Sequence, residues 1–245
     1  MKIGKYKLEN VNKLDLTYLN RDTDRRQVEV FKVKFIKNGI CDPIKVCADY
    51  GVLEGHHRVI AFKELYPNSD IPVYILTWYK NLSDEEKLQV IISLNSKNLS
   101  WKPKDYLKSW SKIKGHYKYV LDKFKNNNSF TVNNYITLYF EKQRGMSDKF
   151  KEGNAEFINK NHSDHLLKGL TQLRDNYGSK VVNGNVVNRI IPACNSNPKK
   201  DKTDFIIDKI NSDLENDTDY YLNTDRTEKR LKYIAEKYKE MYNEN

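Results

Sequence analysis

The sequence predicts an α+β protein in which a mixed α/β part is followed by an all-helical part. Short β-branched runs bounded by proline or glycine alternate with helical patterns over roughly the first hundred residues. From Pro103 onward, apolar residues recur only at helical spacing. This change of pattern gives predicted domains of residues 1–105 and 106–245.

The first part opens with a segment that favours a helix. Residues 27–38 are rich in apolar side chains, and Gly39 follows where a helix commonly ends. Valines within the segment also fit a strand, which stays open as the alternative. Beyond it, the pattern predicts strands at residues 43–47, 52–53 and 71–76 and helices at residues 58–66 and 83–95.

The second part is predicted to be helical. Pro103 suits the first turn of a helix. The apolar residues of the last helix lie near one face, which would pack within the chain or, as the alternative, join two chains in a homodimer. The predicted helices cover residues 103–113, 117–124, 131–140, 155–159, 163–177, 204–214 and 224–242.

The charge of the chain indicates a polyanionic partner. Its 245 residues contain 43 Lys and Arg against 33 Asp and Glu, which gives a net charge of +10. Such an excess favours nucleic acid, and DNA is the partner that we expect. The alternative is a lysine-rich composition set by the base composition of the genome.

Cysteine usage and hydropathy narrow the class of protein. Cys41, Cys47 and Cys194 are odd in number and lack the spacing of zinc ligands, so we expect neither a disulfide scaffold nor a four-ligand zinc site. The sequence has no run of 18 apolar residues and no apolar N-terminal stretch, so we expect no membrane span and no signal peptide. The expected location is the cytoplasm.

The residues most suited to chemistry lie between a predicted strand and a predicted helix. Gly55 permits a close backbone approach, the start of the helix offers N–H groups, and Arg58 offers a fork of guanidinium donors. His56 and His57 add hydrogen-bond donors or a proton acceptor. Together these residues predict a phosphate-binding turn, and an ordinary surface turn is the alternative.

Four short segments, in order along the chain, resemble the motif boxes of the ParB family. Residues 39–46 are similar to the ParB segment Gly-x-x-x-Pro-Ile-x-Val, and residues 55–58 fall where ParB proteins carry Gly-Glu-Arg-Arg. Asn95 and Pro103 match a third ParB block at the same separation. Residues 19–21 resemble the opening box of related phage and plasmid proteins. The resemblance implies a ParB/sulfiredoxin-like N-terminal domain, followed here by the all-helical part.

This resemblance implies a nucleotide pocket. ParB proteins hold CTP there, with the glycine turn on the triphosphate and the Asn block closing over it. Asn95 would also help to hold Mg²⁺ and phosphate oxygens. The residues that the resemblance assigns to nucleotide binding are Arg21, Gly55, His56, His57, Arg58, Asn95 and Asn98.

Two departures from the ParB pattern affect the chemistry. His56 stands where ParB proteins have Glu, and Leu94 stands where they have an acidic residue before Asn95. An acidic group beside the metal is therefore missing at two expected places, which puts CTP hydrolysis and tight Mg²⁺ binding in question. Glu54 is the nearest substitute carboxylate.

Enzymes of the same fold provide the alternative functions. The free serine kinase type carries Asp-Gly-His-Thr-Arg, which residues 54–58 resemble, and an ATP-dependent small-molecule kinase would use Glu54 or His56 as its catalytic base. Sulfiredoxin carries Gly-Cys-His-Arg, and because His56 replaces its nucleophilic Cys, reductase chemistry is not expected. A third alternative is a degenerate pocket with a structural or partner-binding role.

In ParB proteins a DNA-binding region follows the nucleotide domain. Here residues 112–124 and 131–140 would form a helix-turn-helix, with Asn133 and Asn134 placed to contact adenine. Lys112 and Lys118 would contact DNA phosphates. The predicted function is that of a ParB-like, nucleotide-responsive DNA-binding protein of a mobile element, in a partition or regulatory role.

Overall fold

The computed structural model of the protein describes residues 4–17, 19–20, 22–39, 42–96, 101–127, 129–140, 146–195, 198–218 and 220–242. The chain divides into two compact units, residues 1–114 and residues 115–245. This division falls beyond the predicted boundary at residue 105, so the helix that begins at Pro103 belongs to the first unit. The first unit is α+β and the second is helical, which confirms the predicted fold class.

The first unit combines strands and helices. Its strands and α-helices, within the described ranges, are β1 (Lys5–Asn10), β2 (Asp15–Leu16), α1 (Arg25–Asn38), β3 (Ile44–Cys47), β4 (Gly51–Glu54), α2 (His56–Leu65), β5 (Asp70–Leu76), α3 (Asp84–Ser96) and α4 (Pro103–Trp110).

A mixed sheet forms the centre of the first unit, with the strand order β1-β5-β3-β4-β2. β1 runs antiparallel to β5 and β3 runs antiparallel to β4, whereas β3 lies parallel to β5 and β2 lies parallel to β4. The predicted strands are the three central ones. The two edge strands are absent from the sequence prediction because charged residues interrupt the apolar pattern that marks a buried strand.

The segment that fitted either a helix or a strand forms the helix α1. The Asp24 carboxylate accepts the Arg26 backbone N–H at 2.9 Å, which caps the start of the helix. Gly39, with φ of 67°, ends it and donates its N–H to the Phe35 carbonyl at 3.0 Å. Val28 and Phe35, two turns apart, are buried on one face, so the apolar residues follow the helical period.

The core of the first unit lies between the sheet and the packed pair of helices α1 and α2. Phe35 of α1 and Phe62 of α2 meet edge to face, with ring centroids 6.1 Å apart. Ile44 of β3, Val52 of β4 and Val73 of β5 are buried in the same cluster. This packing fixes the turn between β4 and α2, where the candidate site lies.

The second unit is built from helices. Within the described ranges its α-helices are α5 (Gly115–Asn126), α6 (Val132–Phe140), α7 (Asp148–Lys151), α8 (Lys160–Val181), α9 (Gly184–Asn195), α10 (Lys200–Asn216) and α11 (Thr224–Tyr242). No helix in the described part of the chain is long and apolar enough to cross a membrane.

The short helix α7 was not predicted, and two further elements of the second unit differ from the prediction. Residues 155–159 are not helical, because Phe157 packs into an aromatic cluster with His116 and Phe140 and the Ile158 N–H donates to the Tyr139 carbonyl at 2.9 Å. The helix α9 is absent from the sequence prediction because it begins at a glycine and contains Pro192, residues that usually mark helix ends.

The last helix, α11, packs within its own unit. Leu231, Ile234 and Tyr238 are buried, and the helix contacts α9 and α10. This agrees with packing inside the chain. The homodimer stays a prediction.

Candidate functional site

A cleft of about 360 Å³ opens in the first unit where β4 meets α2. This volume lies in the range of small-molecule sites, roughly 300–1,000 Å³. The structure brings the predicted residues 54–58 and Asn95 together around it. The lining residues are Asn20, Asp22, Thr23, Gln27, Phe31, Lys34, Asp42, Glu54, Gly55, His56, His57, Arg58 and Asn95.

The turn that enters the cleft requires glycine. Gly55 has φ of 100°, in the left-handed region, and a Cβ there would lie 2.8 Å from Ile44 Cδ1 and 3.1 Å from Arg58 Nη2. Gly55 is also the N-cap residue of α2. Because it has no side chain, it caps none of the first-turn N–H groups, as in helix N-termini that bind anions.

The predicted phosphate-binding arginine is already paired with a carboxylate. Arg58 Nη2 donates to both Glu54 oxygens at 2.8 Å, and Nη1 donates to the Asp42 carbonyl at 2.9 Å. The two charged side chains are only 12% and 9% exposed. The pairing works against the predicted catalytic role of Glu54, because its lone pairs are directed at the guanidinium. The hydrogens on Nε and the second hydrogen on Nη1 of Arg58 remain for a ligand.

The Leu53 carbonyl at the end of β4 accepts hydrogen bonds from two asparagine side chains. Asn20 Nδ2 donates to it at 3.2 Å and Asn95 Nδ2 at 3.1 Å. Asn95 Nδ2 also donates to the Ile91 carbonyl at 2.7 Å. These bonds hold the segment before α1 and the end of α3 against the sheet, and both asparagines line the cleft.

The same amide fixes the ring of His56. Asn20 Nδ2 must be the nitrogen, since it faces a carbonyl, so its contact with His56 Nδ1 at 2.9 Å is a donated hydrogen bond. A neutral His56 therefore carries its proton on Nε2. His56 is buried, and its Nδ1 lone pair is engaged, which works against the predicted role of His56 as a catalytic base.

His57 ties α2 to the start of α1. Its Nε2 accepts the Asp24 backbone N–H at 3.0 Å, so a neutral His57 carries its proton on Nδ1. The predicted phosphate contact of His57 would have to come from Nδ1.

The predicted Mg²⁺ ligand, Asn95, contributes one amide oxygen. Its Nδ2 faces two backbone carbonyls, so Oδ1 is the atom suited to a cation. Within the described ranges, no three His, Cys, Asp or Glu side chains are grouped so as to hold a metal ion. These residues fit a Mg²⁺ that arrives on nucleotide phosphates, which needs only one or two protein ligands, and do not fit a separate metal site.

Two lysines that follow Pro103 contact residues that line the cleft. The Lys108 ammonium forms an ion pair with the Asp22 carboxylate. Lys108, with Lys112 and Lys104 nearby, holds the pKa of Asp22 below its usual value despite partial burial. Lys112 donates to the Asn20 carbonyl at 3.2 Å, and partial burial lowers its pKa. Lys112 lies in the first unit, and its contact with DNA stays a prediction.

Several predicted residues fall outside the described part of the chain. These are Arg21 and Asn98 of the nucleotide set and Cys41, whereas Cys47 and Cys194 are buried free thiols. Conversely, the sequence prediction did not include the cleft residues Asn20 and Asp22. The box at residues 19–21 contains Asn20 and was the signal that could have pointed to it.

The predicted recognition helix is wrong. Residues 134–140 of α6 are all buried, so this helix forms the centre of the second unit and does not present a face to a DNA groove. Asn134 Oδ1 accepts hydrogen bonds from the Thr131 backbone N–H and hydroxyl at 2.9 and 2.6 Å. Its Nδ2 donates to the Gly184 carbonyl and to Asn188 Oδ1. Asn133 and Lys118 are exposed, and their contact with DNA stays a prediction.

Comparison with known proteins gives similarity in structure only. No protein-family model and no curated protein matches the chain. A pNOB8-like ParB N-domain, in its C2221 crystal form, is 11% identical with a TM-score of 0.43, covering 95% of this chain and 98% of that one. A second structure of a pNOB8-like ParB N-domain is 14% identical with a TM-score of 0.40, covering 98% of each. Because the sequence identities and TM-scores are this low, the proposed function rests on the residues of this chain.

Proposed function

We propose that this protein is a ParB-like, nucleotide-responsive DNA-binding protein whose first unit holds nucleotide phosphates in the cleft. One observation carries the proposal: each of the four ParB-like sequence boxes contributes to the lining of the same cleft. Asn20 comes from the first box, Asp42 from the second, the turn at residues 55–58 from the third and Asn95 from the fourth. Segments far apart in sequence would not converge in this way if each were an ordinary surface turn.

The phosphates would lie at the start of α2. The helix dipole and the remaining Nε and Nη1 hydrogens of Arg58 favour an anion there. Glu54 keeps the guanidinium in place and partly neutralises it, so the phosphate would add to the pair and not replace it. Mg²⁺, when bound with the phosphates, would supply charge neutralisation beside Asn95.

The base would lie against α1. Phe31 lines the cleft with a partly exposed ring, and the Lys34 ammonium sits 5.2 Å from the centroid of that ring. An aromatic face beside a cation suits a heterocyclic base. Such a surface accepts a pyrimidine or a purine ring, so CTP and ATP are both tested.

DNA binding is the second part of the proposal. Residues 1–114 contain 21 Lys and Arg against 14 Asp and Glu, whereas residues 115–245 contain 22 against 19. Most of the excess positive charge therefore lies in the first unit, which contains the cleft. A polyanion is attracted more strongly to this unit than to the second. A partition or regulatory role on a mobile element follows from the ParB resemblance.

The test is calorimetric titration of the whole chain with CTP, ATP, GTP and UTP in the presence of Mg²⁺, with and without duplex DNA. We expect one nucleotide to bind and its affinity to change with DNA. Arg58→Ala should lower that affinity at least tenfold, which corresponds to about 1.4 kcal/mol. Arg25→Ala is the matched control, since Arg25 pairs with Glu64 outside the lining of the cleft.

Because Arg58→Ala leaves the buried Glu54 carboxylate with only Lys45, at 3.9 Å, a second variant keeps the test valid if that protein unfolds. Glu54→Gln/Arg58→Gln removes both charges together and should also lose the nucleotide. Binding of ATP alone, unaffected by DNA, would favour the kinase. No nucleotide binding by the folded wild-type chain would contradict the proposal and favour a degenerate pocket.

A further inference from the structure

A lysine row borders the cleft and already holds an anion. The row consists of Lys104, Lys108 and Lys112, which recur every four residues along α4 and the turn after it and therefore lie along one side. Lys108 forms the ion pair with Asp22, and Lys112 donates to the Asn20 carbonyl at 3.2 Å. Asp22 itself lines the cleft, so its ion pair places the Lys108 ammonium beside that lining.

The carboxylate in this row is held loosely. The Asp22 side chain is 74% exposed, and an ion pair of that exposure is weak and screened by salt. Glu54 differs, because it is buried and bound twice by the Arg58 guanidinium. Of these two acidic groups, Asp22 is the one that an incoming anion can displace.

A phosphate group is the stronger ligand for the same lysines. It carries more negative charge than a carboxylate and has three acceptor oxygens, so it can contact more than one ammonium group at once. Lys104 and Lys112 also lower the pKa of Asp22, after the larger effect of Lys108. A phosphate at this position would meet three cations where the carboxylate forms one pair.

We propose that Asp22 is an internal substitute for a ligand phosphate, and that the lysine row is a second phosphate-binding element of the cleft. A polyphosphate bound at the start of α2 exchanges its terminal phosphate for the Asp22 carboxylate on Lys108, and Lys104 and Lys112 join the contact. The inference rests on the proposed nucleotide site and adds to it the residues that bind the far end of the ligand.

The exchange also sets the affinity of the cleft. Because ligand and Asp22 compete for Lys108, the wild-type chain binds more weakly than a chain without that carboxylate. The Asn20 side chain takes no part, since it is held by the Leu53 carbonyl and His56. Only the segment around Asp22 has to move.

Inorganic tripolyphosphate is the probe, titrated into the full chain at low and at moderate salt. Asp22→Asn should tighten binding about three- to tenfold, and Lys108→Gln should weaken it about tenfold. In the Lys108→Gln background, Asp22→Asn should tighten binding much less than in the wild-type chain, because the competition for Lys108 has been removed. Asp22 and Lys108 are partly exposed, so these variants should unfold at the wild-type urea concentration.

Two matched controls separate local contacts from net charge. Lys114→Gln removes a lysine that pairs with Glu85 at 2.9 Å, and Asp84→Asn removes a carboxylate that pairs with Lys87 at 3.4 Å. Neither residue pairs with a residue that lines the cleft, and both variants should bind tripolyphosphate as the wild-type chain does. Equal effects in the controls would overturn the inference.

Failure of this inference is distinguishable from failure of the proposed function. If Arg58→Ala abolishes nucleotide binding while Asp22→Asn and Lys108→Gln leave it unchanged, the cleft binds nucleotide without the lysine row and the inference is wrong. Weaker binding by Asp22→Asn would also overturn it. Loss of duplex DNA binding but not of tripolyphosphate binding in Lys108→Gln would make the row a DNA surface instead.

Discussion

Both units of the molecule bury polar side chains, but they use them differently. Among the buried polar residues described in the first unit, Asn20, Glu54 and His56 line one cleft, whereas Glu9 and Ser109 do not. In the second unit, Asn134 joins the start of α6 to α9, and His162 joins α8 to α9 and α10 through Asn195 and Thr203. The excess positive charge also lies in the first unit.

The difference shows why burial of a polar group is not by itself evidence of a site. A buried polar side chain needs hydrogen-bond partners, and helix contacts can supply them as well as a ligand can. What distinguishes the first unit is that three of its buried polar residues meet at an open cleft. In the core of the second unit, aromatic rings pack against one another, as in the stacked pair of Tyr117 and Phe140 with centroids 4.9 Å apart.

The largest expected effect tests the buried pair of the first unit. Glu54→Ala leaves the Arg58 guanidinium buried without its carboxylate, and should lower the free energy of unfolding of the first unit by about 3–5 kcal/mol. Urea unfolding followed by tryptophan fluorescence measures it, since Trp78, Trp101 and Trp110 all lie in residues 1–114. Asp84→Ala, at an exposed pair, is the control. A loss no larger than in the control would mean that the pair is not buried in solution.

A smaller effect is expected in the second unit, at Asp164. Its carboxylate accepts hydrogen bonds from Tyr119 and Tyr139 at 2.6 to 2.8 Å and pairs with Lys160 and Lys123. Partial burial would raise its pKa, but these donors hold the pKa at about 2. Asp164→Asn should lower the free energy of unfolding of this unit by about 2 kcal/mol at neutral pH.

The sign of the pH dependence follows from the lowered pKa. The folded carboxyl has a lower pKa than the unfolded one, so its stabilisation is present above about pH 4 and is lost as the pH falls toward 2. The unfolding curves of wild type and Asp164→Asn, followed by far-UV circular dichroism, should therefore converge at low pH. Asp148→Asn, at an exposed pair, should show little difference. A constant gap across the pH range would exclude this account.

The smallest expected change in stability concerns the two adjacent asparagines of α6, Asn133 and Asn134. Asn134→Ala should destabilise the second unit by about 1–2 kcal/mol, because it removes a helix cap and an interhelical bond. Asn133→Ala should change stability by less than about 0.5 kcal/mol, since Asn133 is exposed. Circular dichroism measures stability, and fluorescence anisotropy measures DNA affinity. Reduced DNA affinity of a fully folded Asn134→Ala would contradict the internal role of this residue.

Local patterns were enough for much of the fold. The turn at Gly55 was predicted because a strand, a glycine and a helix follow each other within a few residues, and the backbone geometry of that turn depends on them alone. The edge strands and α9 were not predicted, because an edge strand lacks a buried face and α9 contains residues that usually end helices. The predicted recognition helix was wrong because helical spacing does not show how many sides of a helix are covered.

The sequence by itself determined the α+β class, the order of the four ParB-like boxes and the glycine turn, because each depends on neighbouring residues and their backbone preferences. Only the tertiary structure decided which partner each polar group has. Lys108 and Asp22 are 86 residues apart, and Asn134 meets Gly184 and Asn188 across a helix contact. Such pairings depend on how the helices and strands pack. Packing brings together residues that are far apart in sequence, and local sequence patterns do not predict which of them will meet.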